Sequence, residues 1–458
     1  MPPIKITLIG AGSAFTFSIV ADLIRQPAFA SSVVALVDTD AAALDLSARI
    51  ARRMVAETGS SLRIEESTGR RQALPGSDFV LNSISVGEPW ARERDVAIGE
   101  EYGIYQPTSQ TVGPAGFTRG LRVIPHAVAI ARDVKGLCPE AIVLNLANPM
   151  AAVCRAMVRE TGITVVGLCE AWKVTVPVFA SALGVPPEEL DLFSVGTNHL
   201  GWALALHHRG RDVLPETLAR LHSLECAALL DSVPVARDVY AAFGLWPTGS
   251  EDHIAEWFPY FLTPATRGGA DYGLSTRHVT EEQWAARRTE RRALAEGSRP
   301  IAPILQPSGE SAVAIIACLA GVERPSPEMV NIPNAGLVDN LPGEAIVELP
   351  AYVSPGQVRG LKVGPLPQPV AQILSTRALQ QELLVDVALS GDRRLALQGL
   401  LLDAQIVSLA AARQILERSL AANAQWLPGF HCTGGKSSAK KGTSLGAYAR
   451  SDRGFSSE

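Results

Sequence analysis

The chain has 458 residues, 47% hydrophobic and 19% charged, which supplies apolar surface for more than one core and excludes a disordered protein. The formal net charge of −5 comes from intermixed signs, so no basic stripe is available to track a phosphate backbone, and nucleic acid is not an expected partner. Six cysteines, Cys138, Cys154, Cys169, Cys226, Cys318 and Cys432, stand without short paired spacings, which argues against a disulfide framework or a zinc ribbon and fits a reducing cytoplasm.

The opening stretch "MPPIKITLIG" enters a strand within four residues, leaving no room for a signal peptide. "IKITLIG" is a short apolar run, "SAFTFSIVADLIRQ" has helical spacing and "SVVALVD" is a second apolar run, which together predict β-α-β. Gly10 and Gly12 fall between the first strand and the helix, where missing side chains let backbone N–H groups approach a pyrophosphate. Ser13 and Phe15 continue that turn, with Phe15 standing where the third glycine of the usual pattern would be. Taken alone, the glycine pair would serve a tight turn equally well. Asp38 closes the second strand, where its carboxylate can accept both ribose hydroxyls and repel a 2′-phosphate, so NAD is the expected cofactor.

Further on, a helix is predicted at "AAALDLSARIARRMVAE", a charged strand near "SLRIEES", a strand at "DFVLNSISV", a long amphipathic helix at "GLRVIPHAVAIARDVKGLCP" and a strand at "AIVLNLANP". Strands alternating with helices imply a parallel sheet with right-handed crossovers. "TVVGLCE" reads as another strand, and "LDLFSVGTNHLGWALALHHRG" as strand, polar turn, strand. Beyond about residue 210 helices dominate, with later strands at "AIVELPAYV" and "RGLKVG". No apolar run reaches the roughly 18 residues of a membrane span. The reading is a nucleotide-binding domain over 1–195, a mixed α/β domain over 196–430 and a polar, disordered tail over 431–458.

Nine stretches in order carry a resemblance: "IGAGSAFT", "VGPAGFTRGLRVIP", "NLANPM", "GLCE", "GTNHLGW", "EDHIAEWFPYF", "SGESAVAII", "NIPNAGLVDNLP" and "VELPAYV" with "VGPLP". The chain, up to about residue 405, resembles the NAD-dependent family 4 glycoside hydrolases. The resemblance implies an α/β fold with a Rossmann-type doubly wound parallel sheet, like that of lactate and malate dehydrogenases, and a second mixed α/β domain. It also implies a homodimer or homotetramer, bound NAD, a divalent metal such as Mn²⁺, and a small glycoside substrate. In the implied chemistry NAD⁺ takes hydride from C3 of the sugar, a base removes the acidified C2 proton, the aglycone leaves C1, water adds and the hydride returns.

Residue by residue, Cys169 and His199 match the family's metal pair; without the resemblance they read as a buried free cysteine and a turn histidine. Glu170 stands where members acting on α-linked 6-phosphosugars often carry an aspartate as the acid, its longer side chain departing from that pattern; its structural alternative is a carboxylate turned toward the metal or Lys173. Tyr240 resembles the tyrosine that abstracts the C2 proton in some members and is the favoured base, while Asp252 resembles an aspartate near the site in others. Asn148 resembles a residue that binds substrate hydroxyls, or serves the turn before Pro149. Arg92 resembles the reader of an anionic C6 group such as a phosphate, sulfonate or carboxylate, or is a surface arginine in "ARERD". The rival functions are a 2-hydroxy acid dehydrogenase on the same fold and a non-catalytic NAD- and sugar-binding protein.

Overall fold

The computed structural model describes residues 3–87, 90–276 and 278–430. The tail expected to be disordered, with Cys432, lies outside the described residues. The first six strands are β1 (Lys5–Ile9), β2 (Val33–Val37), β3 (Arg63–Ser67), β4 (Phe79–Asn82), β5 (Ile142–Asn145) and β6 (Val165–Gly167). They lie side by side in the order β6-β5-β4-β1-β2-β3, all parallel. In β2 every residue is buried, because helices cover both faces and a strand so placed must be apolar throughout. The helices Phe15–Arg25 and Ala41–Thr58 pack with Ala312–Leu319 on one face; Gly113–Leu137 and Met150–Thr161 pack with Gln368–Ser390 on the other. Asp40 starts the helix Ala41–Thr58 by accepting the N–H groups of Ala42 and Ala43 at 2.9 and 3.1 Å.

The second half continues this sheet with β7 (Leu190–Thr197), β8 (Leu200–His208), β9 (Arg211–Asp212), β10 (Pro247–Thr248), β11 (Ser326–Pro333), β12 (Ile346–Ser354) and β13 (Gln357–Gly360). The joins between neighbours are narrow. β11 runs antiparallel to β6 through one register pair, Asn331 opposite Gly167, and β12 meets β7 through another, Glu348 opposite Gly196. Both glycines are required there: a Cβ on Gly167 would lie 2.9 Å from the Cβ of Asn331, and one on Gly196 2.2 Å from the carbonyl oxygen of Leu200. A third core, built around Trp202, Trp246 and Trp257, fills the space beneath β7 and β8.

Several strands differ from expectation. The short β9 and β10 and the longer β11, which carries Pro327 and Pro333 near its ends, are not among the expected strands. β13 ends at Gly360, so only the first two residues of "RGLKVG" are strand; Gly364 instead makes an isolated parallel bridge to Val338. The described cysteines are all unpaired, and among the described residues no helix is long and apolar enough to cross a membrane.

One buried ion pair locks the C-terminal helix Leu409–Ala422 to the first half. Arg122, fully buried on the helix Gly113–Leu137, donates to Asp95 at 2.5 Å, to Asn423 Oδ1 at 2.8 Å and to the carbonyl of Val86 at 3.0 Å. Removing one partner of such a pair leaves a buried charge behind. Arg122→Met is therefore expected to cost about 3–5 kcal/mol, seen as an earlier urea midpoint than that of the wild type.

Candidate functional site

At the nucleotide end, β1 turns through Gly10, whose φ of 92° lies in the region that favours glycine. A Cβ there would lie 2.8 Å from the carbonyl carbon and oxygen of Ser83, so the turn sits directly against the end of β4. Val37 O accepts the N–H groups of Gly10 and Ala11 at 2.8 and 3.0 Å. Asp38 receives Gly12 N on Oδ2 at 2.7 Å and Asp40 N on Oδ1 at 3.0 Å, which fixes its carboxylate beside the turn. The helix Phe15–Arg25 starts at Ala14, which has no capping side chain; its first N–H groups meet only Ser13, Phe15 N reaching Ser13 Oγ at 3.3 Å and Thr16 N reaching Ser13 O at 3.4 Å. A close-backed glycine turn, a fixed carboxylate and a weakly capped helix end fit the pyrophosphate and ribose of a dinucleotide.

The second cluster forms where β6 and the β7–β8 hairpin end. Leu168, Cys169 and Glu170 follow β6 and lead into a 3-10 turn, Ala171–Val174. Asn198 and His199 form the two-residue turn between β7 and β8, with His199 at φ 72°. A non-glycine residue held in that region stores strain, which marks the turn as a functional candidate. Gly201, next to it, is dictated by packing, since a Cβ would lie 2.2 Å from Thr248 Oγ1.

Two contacts hold the histidine ring. Thr111 Oγ1 bonds its Nδ1 at 3.0 Å, and His253 stacks on its ring with centroids 3.8 Å apart. Gln110, beside Thr111, accepts Asn148 Nδ2 at 3.3 Å, while Arg119 donates to Asn148 O at 3.2 Å and Ser85 Oγ at 3.3 Å. The Gln110–Thr111 loop is anchored in turn by Glu256, whose Oε1 accepts Thr108 N at 2.7 Å and Ser109 N at 2.8 Å. Asp252 accepts Ser250 Oγ and, at 3.0 Å, His253 N; Ser250 Oγ also reaches His253 Nδ1 at 2.7 Å.

Electrostatics follow from burial. The Cys169 thiol is pushed up to about 12, first by burial and then by the neighbouring Glu348 charge. His199 is held well below the usual histidine range by burial, with His253 and Arg119 adding to the effect, so its ring is neutral and suited to bind a metal. Asn198 is fully buried and close enough to Cys169 and Glu348 to draw both down, yet neither its Nδ2 nor its Oδ1 has a well-aligned hydrogen bond. An amide left unspent in a buried polar cluster is the mark of a ligand position. Cys169 and His199 offer a thiol and an imidazole to a divalent metal. Among the described residues no group of three or more His, Cys, Asp or Glu side chains is placed to hold a metal, so further ligands would have to come from substrate or solvent.

Of the residues singled out in the sequence, Gly10, Gly12, Ser13 and Asp38 form one turn, and Phe15 is the first residue of its helix, about one-third exposed. Cys169 lies against Asn198, beside His199, and Asn148 and Asp252 join that cluster through Gln110 and His253. Glu170 turns toward the loop before the helix Ala312–Leu319: Oε1 accepts Ser311 N at 2.9 Å and Ser311 Oγ at 2.5 Å, and Oε2 pairs with Lys173 at 2.7 Å. Tyr240 packs against His222 and Trp246, with ring centroids 5.2 and 5.6 Å away, in the aromatic part of the third core. Arg92 is not a solvated arginine; its side chain is 15% exposed, paired with Glu93 at 2.7 Å and bonded to Pro107 O at 3.0 Å. Sequence reasoning missed Gln110, Thr111, Arg119, Asn198, Asn331 and Glu348. A signal existed for Glu348, an acid inside the apolar run "AIVELPAYV".

The fold and site define a Rossmann-type α/β enzyme whose polar cluster sits where the parallel strands end. A malate dehydrogenase of Cryptosporidium parvum shares the architecture at 16% identity and TM-score 0.53, over 85% of this chain and 99% of that one. The family model described as family 4 glycosyl hydrolase matches residues 5–185, and that of its C-terminal domain matches residues 194–406. The chain belongs to that family and is a hydrolase of O-glycosyl bonds. An α-galacturonidase of Bacillus subtilis is 32% identical over 87% of this chain and 93% of its own length, and an α-galactosidase of the same organism 29% identical over 93% and 99%. A 6-phospho-α-glucosidase from gut microorganisms, solved with NAD and glucose-6-phosphate, superposes at TM-score 0.79 with 21% identity, over 93% of this chain and 99% of that one.

Burial pushes the carboxyls of Glu251, Glu256 and Glu348 up to about 7. A carboxyl with a raised folded pKa binds its proton more tightly folded than unfolded, so its contribution to stability is full at low pH and is lost as pH rises through about 7. Glu256→Gln cannot ionise and keeps an acceptor for Thr108 and Ser109. Its thermal midpoint should therefore fall less than the wild type's between roughly pH 4.5 and pH 7.5, a difference that differential scanning fluorimetry would show.

Proposed function

We propose that the protein cleaves a small α-linked glycoside of the galactose or galacturonic acid type, with NAD and a divalent metal such as Mn²⁺. The observation that carries this is the convergence of the buried Asn198 and His199 with the part-buried Asn148 and Cys169 in one polar cluster at the strand ends. The relatives' names support the α-linked sugar, and solved neighbours bound to NAD and to Mn²⁺ support the cofactors. Bound at the Gly10–Gly12 turn and at Cys169 with His199, these would supply reversible hydride acceptance at C3 and polarisation of the C3 oxygen.

The chain's own residues do the rest. Asp252, oriented by Ser250 and the N–H of His253, is the carboxylate that takes the C2 proton. Asn148 and Gln110 orient sugar hydroxyls, and Thr111 keeps the His199 ring turned so that Nε2 serves the metal. Arg119, set beside Asn148, supplies positive charge suited to a uronate carboxylate. Arg92 and Glu170, already paired with Glu93 and with Lys173, order their loops. Tyr240 belongs to the core packing.

The test is release of 4-nitrophenol from α- and β-linked galactosides, galacturonides and 6-phosphoglycosides, with NAD⁺ and Mn²⁺ each added or withheld. Cleavage of an α-glycoside only when both are present is the expected result. NADH accumulating from 2-hydroxy acids with every glycoside intact would sink the reading in favour of a dehydrogenase. Within an active panel, Asp252→Asn should lower kcat by roughly 10² to 10⁴ and abolish exchange of the sugar C2 hydrogen with deuterated solvent. Glu170→Gln should change kcat on nitrophenyl substrates by less than about tenfold, since that leaving group needs no acid, and Tyr240→Phe likewise, since its ring packs against His222 and Trp246.

A further inference from the structure

We propose that Arg291, from the second half of the chain, is a ligand of the bound dinucleotide and contacts its pyrophosphate from the adenosine side. The inference rests on the NAD reading above. The helix Glu281–Glu296 opens with a reciprocal cap, Gln283 N to Thr280 Oγ1 at 3.3 Å and Thr280 N to Gln283 Oε1 at 3.1 Å. It lies along the helix Ala41–Thr58, where Arg53 holds its far end through Leu294 O and, at 3.2 Å, Arg299 O. So docked, Arg291 reaches the glycine turn and donates from Nη1 to Gly12 O at 2.5 Å, its guanidinium carbon 5.4 Å from the centre of the Phe17 ring.

A guanidinium has five N–H donors, and among the described residues Gly12 O is the one hydrogen-bond acceptor that Arg291 meets. No carboxylate among the described residues lies within ion-pairing distance of it. Asp38 is near enough to favour its charge, but partial burial and Arg287, one helical turn earlier, weigh more heavily and push its pKa down. A half-buried cation with unspent donors and under-compensated charge is a site for an anion. It stands at the turn where the first helix is capped only by Ser13.

Two dinucleotide phosphates could satisfy it: the pyrophosphate common to NAD and NADP, or the 2′-phosphate of NADP alone. Asp38, fixed at the ribose edge by Gly12 and Asp40, opposes the second, so the first is the one assigned.

Calorimetric titration of the full chain with NAD⁺, NADP⁺ and ADP-ribose tests this, comparing wild type with Arg291→Met and Arg291→Lys at matched thermal midpoints. Expected is a loss of about tenfold or more for NAD⁺ and ADP-ribose alike in the methionine variant, partly recovered by lysine. Unchanged affinity in a folded Arg291→Met protein, or a loss confined to NADP⁺, would overturn the assignment. No dinucleotide binding by the wild type would defeat the NAD reading and this inference with it, whereas normal binding by the variant would defeat the inference alone.

Discussion

The arrangement depends on a seam. A parallel sheet of six strands is continued by antiparallel strands through the single pair Asn331 with Gly167, and within the antiparallel part β12 meets β7 through the single pair Glu348 with Gly196. Asn331 Nδ2 bonds Glu348 Oε2 at 2.8 Å, so the residues at the two narrow joins also hold each other. Cys169 follows one of these glycines by two residues and His199 follows the other by three. The junction therefore sets how far apart the thiol and the imidazole stand, and a side chain on either glycine would change that spacing.

Behind the cluster, several buried polar groups hold the loops that present it. Glu256 exemplifies this. Its carboxylate carries the loop that presents Gln110 and Thr111, and its carbonyl accepts Gln405 Nε2 at 3.0 Å. Gln405 leads to Asp403, which accepts Gly113 N at 2.8 Å and pairs with Arg377 at 3.0 Å, so the start of the long helix Gly113–Leu137 is held by the C-terminal part of the chain. Burying carboxylates and guanidinium groups is costly unless their hydrogen bonds are met, and a network that meets them in one geometry rigidifies the loop it supports. A sugar hydroxyl then meets an amide already in place, which lowers the entropy lost on binding.

The nucleotide end follows a different logic, in which the main chain itself is the binding surface. Gly10 and Gly12 are bare because Ser83 and Asp38 occupy the space where side chains would be. The charges at its edge, Asp38 on one side with Arg287 and Arg291 on the other, come from segments about 250 residues apart in sequence and meet because two helices lie together.

How much of this was legible in the sequence follows from the range of the forces involved. The β-α-β opening, the glycine turn, Asp38 and the polar strand ends at Cys169 and His199 are local features. Strand and helix periodicity, turn chemistry and strand termini act over a few residues, so the nucleotide half and the family could be read directly. The sequence favours Tyr240 over Asp252 as the base, but nothing local says which way a helix faces; packing set Tyr240 against His222 and Trp246 and brought Asp252 to the His253–His199 stack. Glu170 took the Lys173 alternative that the sequence offered and added Ser311, while Arg92 found Glu93 and Pro107; Ser311 and Pro107 are partners that strand and helix patterns do not announce. Asn198, Glu348 and Arg291 acquired their settings only when strands and helices distant in sequence packed together. By itself the sequence determined which segments form the frame and which residue types stand at its edges, since those are short-range matters of burial and backbone freedom. Tertiary structure decided which of those residues face one another, because the pairing of buried charges and amides is settled by long-range packing.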